Sequence, residues 1–302
     1  MKVLVTGANG LLGHKLIRQL HGDPKIELIA SGRRSSAPYF PDVTYCPLDI
    51  ADSNAVFVAM DYYKPDAVIH TAAMTNVDKC AQDQSGCRKT NVDAVKFLAS
   101  ACEANETRLI YLSTDFVFDG KYGPLDESAT PAPVNYYGEC KAEAEAIVSA
   151  SNISWAIIRT VLVYGITPDL SRSNIVLWVK ENLERNKPIN VVNDQFRTPT
   201  LAEDLADGCV RVLKKNATGI FHISGEEMLT PYDIAIRTAD YFKLDRSLIT
   251  PVDSAFLKQP ALRPARTGFI IEKAKRELGY EPHSFDDGLR ILAAQINDRS
   301  LS

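Results

Sequence analysis

The chain has 302 residues, 45% of them hydrophobic and 24% charged, with a formal net charge of −4. That balance excludes a disordered polypeptide and leaves room for one large α/β domain, or a large domain with a smaller lobe. The slight acidic excess gives no field for nucleic acid, so an anionic ligand must be met by local arginines. Val3, Leu4 and Val5 open the chain as the short apolar run of a buried parallel strand. Thr6-Gly7-Ala8-Asn9-Gly10-Leu11-Leu12-Gly13 follows at once, and Leu12, Leu16, Ile17 and Leu20 recur behind it at helical spacing. Gly7 permits a tight turn, Gly10 leaves room for a pyrophosphate beside the backbone, and Gly13 lets the helix pack close to the strand. The helix then points free N–H groups and its positive dipole end at the phosphates. An ordinary tight turn would use the same glycines, but their place between strand and helix favours phosphate.

A second strand at 26–30 ends in Ser31-Gly32-Arg33-Arg34. An acid near this point would hold the ribose 2′-hydroxyl of NAD. Two arginines and no acid suit the 2′-phosphate of NADP(H), although a solvated basic turn has the same composition. A third strand at 43–46 leads to Asp49 and Ile50, with Asp49 a candidate for the adenine amino group. The alternative is a helix N-cap, a role that Asp52 or Ser53 serves better. A fourth strand within 66–70 precedes Thr71-Ala72-Ala73-Met74-Thr75, whose small residues let a flat cofactor lie across the strand end. His70 reads as a satisfied strand histidine and not as a base. A long helix at 84–105 carries Asn91, with Val92, Val95, Leu98 and Ala99 as its buried stripe.

The fifth strand, 108–112, delivers Ser113-Thr114-Asp115 to the same edge. A loop with Pro124, Pro131 and Pro133 precedes a helix from Tyr136 to residue 150, and a sixth strand covers 155–159. Beyond 160 the alternation loosens into helices at 171–184, 202–214, 231–242 and 272–278 and strands at 189–192 and 219–223. The expected fold is α/β, a doubly wound parallel sheet of the Rossmann type. Residues 1–165 would form the dinucleotide-binding domain, with 189–222 returning to it, and 166–302 would be mainly a discontinuous substrate lobe.

Tyr137 and Lys141 stand four apart at a helix start, so both side chains share one face. A phenol titrates near ~10 and is a poor acid or base at neutral pH. A nearby ammonium, together with the charge of an oxidised nicotinamide, would lower that value. Tyr137 could then give a proton to a carbonyl oxygen as hydride arrives, or take one in reverse. Lys141 could also bond the nicotinamide ribose. Chance puts Tyr-x-x-x-Lys in many helices, but Thr114 converges on the same edge from a different strand. Its hydroxyl could hold the substrate oxygen beside Tyr137; a β-branched strand residue or a helix cap would look the same.

These motifs together resemble the extended short-chain dehydrogenase/reductase family, and within it the dTDP-4-dehydrorhamnose reductases. That group's Ser-Thr-Asp-Tyr-Val-Phe-Asp-Gly is similar to Ser113-Thr114-Asp115-Phe116-Val117-Phe118-Asp119-Gly120. Its Thr-x-Val-Asp-Lys loop is similar to Thr75-Asn76-Val77-Asp78-Lys79. Asp194-Gln195-Phe196-Arg197-Thr198-Pro199-Thr200 and Arg263-Pro264-Ala265-Arg266-Thr267 resemble its later segments. The resemblance implies Thr114, Tyr137 and Lys141 as catalytic trio and Asp115 as a substrate contact. It implies that the cofactor is lined by Gly7, Asn9, Gly10, Leu11, Leu12, Asp49, Ile50, Thr71, Ala72, Ala73 and Thr75. Arg33 and Arg34 are expected on a 2′-phosphate, and Arg197, Arg263 and Arg266 on a substrate diphosphate. Nucleotide-sugar dehydratases would carry Thr-Asp-Glu at 114–116; Phe116 can serve as neither acid nor base, which suits simple carbonyl reduction.

Two departures bear on the substrate. Leu162 stands where the family often has a tryptophan that touches the sugar, and a branched aliphatic chain offers neither a flat face nor an N–H. Arg197 stands where the family usually has glycine, and could hold a diphosphate or pair with a local acid. The expected reaction is NADPH-dependent reduction of dTDP-4-dehydro-L-rhamnose to dTDP-L-rhamnose. The alternatives are a reductase or epimerase of another sugar nucleotide, or an NADP-binding regulatory subunit similar to the methionine adenosyltransferase beta subunit. A homodimer is a candidate assembly. Cys46, Cys80, Cys87, Cys102, Cys140 and Cys209 form no Cys-x-x-Cys pair and read as reduced thiols, with no metal set. Residues 1–5 already belong to a strand and no apolar run reaches membrane length, so a cytoplasmic protein without leader or membrane contact is expected.

Overall fold

Runs such as Val3-Leu4-Val5 and Leu109-Ile110 are apolar on both sides, which only a sheet covered on both faces can bury. The computed structural model describes residues 1–34, 40–167 and 174–300 and builds that sheet from alternating elements. In chain order these are β1 (Lys2–Thr6), α1 (Leu11–Leu20), β2 (Glu27–Gly32), β3 (Thr44–Pro47), α2 (Ser53–Tyr63) and β4 (Ala67–His70). Next come α3 (Val77–Gln82), α4 (Gln84–Arg88), a π turn (Lys89–Asp93), α5 (Ala94–Ala104), β5 (Arg108–Thr114), α6 (Tyr136–Ala150) and β6 (Trp155–Thr160). They are followed by β7 (Val163–Tyr164), α7 (Ile175–Glu184), β8 (Ile189–Val192), β9 (Thr200–Leu201), α8 (Ala202–Lys214) and β10 (Gly219–His222). The chain closes with α9 (Pro231–Phe242), β11 (Ile249–Val252), α10 (Glu272–Leu278) and α11 (Phe285–Ser300).

Seven strands lie in the order β10-β6-β5-β4-β1-β2-β3, and every pairing is parallel. The strand order reverses between β1 and β4, so connections leave these two strands toward opposite sides and a crevice opens at their carboxyl ends. On one face Leu16, Ile17 and Leu20 of α1 pack with Leu205, Cys209 and Val212 of α8. On the other, Val56 and Met60 of α2, Val95 and Leu98 of α5, and Ala144 and Val148 of α6 cover Leu4, Val68 and Tyr111. Among the described residues no helix is long and apolar enough to cross a membrane.

The chain after β6 divides its elements in a way that differs from the sequence expectation for 189–222. The helix α8 and the strand β10 do join the main sheet, β10 pairing with β6. The strand at 189–192 does not. It pairs in parallel with β11, from Ile189 opposite Ile249 to Val192 opposite Val252. The position beside β6 is taken by β10, and Ile189 and Val191 instead bury against Val179 and Leu183 of α7 and Ala235 and Ala239 of α9. That helix α9 starts sharply because Thr230 and Asp233 form a reciprocal capping box ahead of Pro231. The helix expected over 171–184 begins at Ile175; residues 171–173 lie outside the described residues.

The single helix expected over 84–105 is two helices joined by the π turn. Asn91 on that turn accepts from Met74 N at 2.8 Å and donates to Met74 O at 2.9 Å. The turn thereby fastens the small-residue loop after β4 at the mouth of the crevice.

Candidate active site

The first loop is shaped by contacts that only glycine tolerates. Gly7 has φ +71°, and a Cβ there would lie 2.7 Å from Thr71 Oγ1 and 2.8 Å from Ala72 N. A Cβ on Gly13 would lie 2.2 Å from the Gly7 carbonyl oxygen. The loop is therefore pressed between α1 and the end of β4. Gly10 caps α1 with no side chain to take the first-turn N–H groups, which leaves them for an anion. These residues fit a dinucleotide: the cradle is bare backbone at a helix N-terminus, where a pyrophosphate needs it.

At the far side of β1, Asn9 Nδ2 donates to the Tyr45 hydroxyl at 3.1 Å, over Gly32. Arg33 and Arg34 are exposed just past that glycine. Asp49 is exposed and folds its own turn, accepting from Ala51 N at 3.0 Å, while Ile50 is buried beside it. Asp52 caps α2, accepting from Ala55 N at 3.1 Å. Leu11 and Leu12 begin α1, half-buried at its first turn. Thr71 donates to the Thr6 carbonyl at 2.7 Å; Ala72 and Ala73 are half-buried at the crevice, and Thr75 is exposed before α3. Tyr45 was missed by the sequence reading, since nothing in its local pattern separates it from an ordinary strand tyrosine.

The second half of the site is set by how α6 begins. Asn135 caps it, accepting from Gly138 N at 2.9 Å. A Cβ on Gly138 would lie 2.1 Å from the Phe116 carbonyl, so glycine here lets α6 close on the turn after β5. Tyr137 and Thr114 lie buried on either side of that contact, the Tyr137 ring edge-on to Phe116 at 5.8 Å and the Thr114 hydroxyl accepting from Phe116 N at 3.3 Å. Burial pushes the Tyr137 phenol well above its ordinary value, and the nearby Thr114 hydroxyl opposes it. Lys141 follows one turn later, 3% exposed. Its Nζ donates to the Leu112 carbonyl at 2.6 Å and sits 4.1 Å over the Tyr111 ring. Burial draws the ammonium down to about 7, with Glu145 pulling the other way.

His70 lies behind this group. Its Nδ1 shares a 2.7 Å bond with Thr6 Oγ1, and burial with the Lys141 charge draws it down to about 3. It is a neutral strand histidine.

The substrate side departs from the sequence expectation at two residues. Arg197 is 4% exposed and spends its donors on protein: Nη1 on Phe196 O at 2.7 Å, Nη2 on Pro264 O at 2.6 Å, and Nε toward Asp115 at 3.4 Å. Buried and directed at protein carbonyls and Asp115, it takes the ion pair of the two uses open in the sequence. Asp115 is equally committed. It accepts from Thr114 Oγ1 at 3.1 Å, from the Thr267 hydroxyl and from Arg197, so it anchors 197 and 267. Burial raises its carboxyl and Arg197 opposes that rise.

Arg263 and Arg266 stay at the rim, half-buried. Arg263 grips Asp78 of α3 with Nη1 at 3.0 Å and Nη2 at 2.7 Å. Asp78 also accepts from Ala261 N at 3.1 Å, and Asn135 Nδ2 donates to Leu262 O at 2.7 Å. The segment before Arg263 is thus tied to both α3 and the start of α6. Arg266 donates to Gly123 O at 2.8 Å and stacks 4.8 Å over Phe196. Leu162 adopts φ +37° in the bend between β6 and β7, half-buried. Asp78 and Asn135 were missed as site-builders; the only signal was Asp78's place inside the Thr-Asn-Val-Asp-Lys stretch.

Comparison with known proteins places this arrangement. The family described as RmlD substrate binding domain matches residues 1–297. The chain is 33% identical over 305 residues to the probable low-salt glycan biosynthesis reductase Agl14 of Haloferax volcanii, covering 99% of this chain and 100% of that protein. It is 34% identical over 256 residues to methionine adenosyltransferase 2 subunit beta of Pongo abelii, covering 83% of this chain and 75% of that protein. Among solved structures, dTDP-4-dehydrorhamnose reductase of Bacillus anthracis in complex with NADP superimposes with a TM-score of 0.87 at 26% identity, covering 97% of this chain and 99% of that one.

Proposed function

The chain belongs to the RmlD substrate binding domain family, and from that membership we propose that it reduces the 4-keto group of a nucleotide-linked deoxysugar with NADPH. It is an NAD(P)H-dependent oxidoreductase of the dTDP-4-dehydrorhamnose reductase type. The substrate we favour is dTDP-4-dehydro-L-rhamnose, with dTDP-L-rhamnose as product. The observation that carries the reading is that Thr114, at the end of β5, and Tyr137, at the start of α6, are both buried against Phe116, with Lys141 a helical turn away.

A bound NADPH supplies the hydride that becomes the new C4–H bond. Thr114 holds the C4 oxygen by its hydroxyl. Tyr137 gives that oxygen its phenolic proton, so the carbonyl becomes an alcohol and the phenol a phenolate. Lys141, as an ammonium, stabilises that phenolate until solvent returns the proton. Gly7, Gly10 and the first turn of α1 hold the pyrophosphate, and Arg33 and Arg34 hold a 2′-phosphate. Arg263 and Arg266 remain the candidates for the substrate diphosphate.

Purified protein given NADPH and dTDP-4-dehydro-L-rhamnose should lose the absorbance of the reduced nicotinamide, with one sugar reduced per NADPH consumed. No loss with this or other 4-keto sugar nucleotides, at high enzyme concentration, refutes the reading. Leu162 favours testing other sugars alongside, including an epimerase assay, because the sugar meets no indole there. A second reading, an NADP-binding regulatory subunit, is favoured by the similarity to the Pongo abelii subunit over most of the chain. Tight NADP binding without turnover, with a partner protein co-purifying, would support it.

A further inference from the structure

The face of α6 that carries Tyr137 and Lys141 continues inward. Glu145 follows Lys141 by four residues, as Lys141 follows Tyr137, so all three lie along one side of the helix. Glu145 is 5% exposed and is gripped from β6 by Arg159, Nε to Oε1 at 2.9 Å and Nη2 to Oε2 at 2.7 Å. Arg159 is itself buried, with its guanidinium 5.0 Å over the Phe118 ring. Packing alone does not call for ions at this place. Apolar residues of similar volume often replace a buried pair without loss of stability.

We infer that Glu145, held in place by Arg159, is a positioning residue whose carboxylate keeps Lys141 as an ammonium and so sets the pH above which reduction fails. The inference rests on Lys141 acting with Tyr137 as described above.

The surroundings of Lys141 leave Glu145 as the source of negative charge. From β5 come the Leu112 carbonyl and the Tyr111 ring, whose phenol burial keeps neutral. From β4 comes His70, also neutral. Cys87 of α4 and Cys140 of α6 are thiols pushed upward, hence uncharged at neutral pH. Tyr137 itself is a neutral phenol. Arg159 lies behind Glu145, and its bidentate grip fixes the carboxylate. Burial disfavours the Lys141 ammonium, and Glu145 is the largest influence in its favour.

The test measures two pH profiles on the full chain: kcat/KM for NADPH oxidation with a 4-keto sugar nucleotide, and NADPH affinity by fluorescence. Wild type, Glu145→Gln and Glu145→Asp are compared, each first checked for native circular dichroism. In Glu145→Gln the basic limb of both profiles should move down by ~1 pH unit, with kcat at neutral pH falling more than KM changes. Glu145→Asp keeps the charge but sets it farther back, so its limb should fall between those of wild type and Glu145→Gln. If Glu145→Gln does not fold, Glu145→Asp decides alone, since drawing the carboxylate back by one methylene should move the limb partway down. Basic limbs that stay at the wild-type pH overturn the inference. A wild type that reduces no keto-sugar overturns the activity reading instead, and the affinity profile still reports on Glu145.

Discussion

A buried phenol holds its proton firmly, which is the state a reductase needs before hydride arrives. Tyr137 is in that state, its phenol raised by burial. Tyr137→Phe removes the proton and keeps the ring, so kcat should fall by ~10²-fold or more while the NADPH dissociation constant stays nearly unchanged; stopped-flow turnover and a fluorescence titration check this. In the proposed reaction Arg33 and Arg34 hold the 2′-phosphate at the other end of the cofactor. Replacing both with alanine should weaken NADPH much more than NADH, and equal weakening of the two would remove the 2′-phosphate role. The placement of Tyr137 and Lys141 on one helix and of Thr114 at a strand end was legible because it lies in short spacings and in the end of one strand. Arg197 and Asp115 were not. Their partners are carbonyls and a hydroxyl at 264–267, far along the chain. A buried arginine turned onto carbonyls and an acid looks the same, in sequence, as one waiting for phosphate.

At the scale of elements, the strand-loop-helix at the start was readable because its glycines sit where backbone must touch backbone. The same logic applies to Gly138, whose bare Cα lets α6 reach Phe116, yet its local sequence gives no sign of that contact. The π turn was unreadable for a different reason: the side chain that stabilises it reaches back to Met74. The tie between α3 and the segment at 261–263 is likewise a product of folding. There the Asp78 carboxyl is held below its ordinary value, first by its bond to Arg263. A lowered carboxylate contributes stability above its unfolded pKa, near ~4, and that contribution is lost as pH falls through the lower folded value. Both charges are partly exposed, so the effect is local and screened by salt. Hydrogen exchange should find the Ala261 amide, bonded to Asp78, protected at neutral pH and progressively released in strong acid; Asp78→Asn should release it at neutral pH as well.

At the scale of the whole molecule, the alternation of apolar runs and helices gave the parallel sheet, because a strand buried on both faces has no polar side to show. The destination of 189–192 was not given by that pattern. A four-residue apolar strand fits any sheet edge, and only the competition between β8 and β10 for the flank of β6 decides between them. The decision has a cost for fragments. A chain ending at residue 165 lacks β10, and it also lacks Leu205, Cys209 and Val212, which cover α1. Such a fragment should elute as aggregate in size-exclusion chromatography. One extended to residue 223 should give a larger soluble fraction.

The late arrival of β10 also reaches into biosynthesis. A ribosome that has delivered the glycine loop, Thr114, Tyr137 and Lys141 has made the groups to which the proposed chemistry is assigned, yet the sheet that carries them still presents a raw flank with open N–H and C=O groups. The nascent chain must wait for some eighty residues beyond Lys141 to emerge before β6 and then β10 pair onto that flank, and through that interval a holding chaperone has an extended edge to grip.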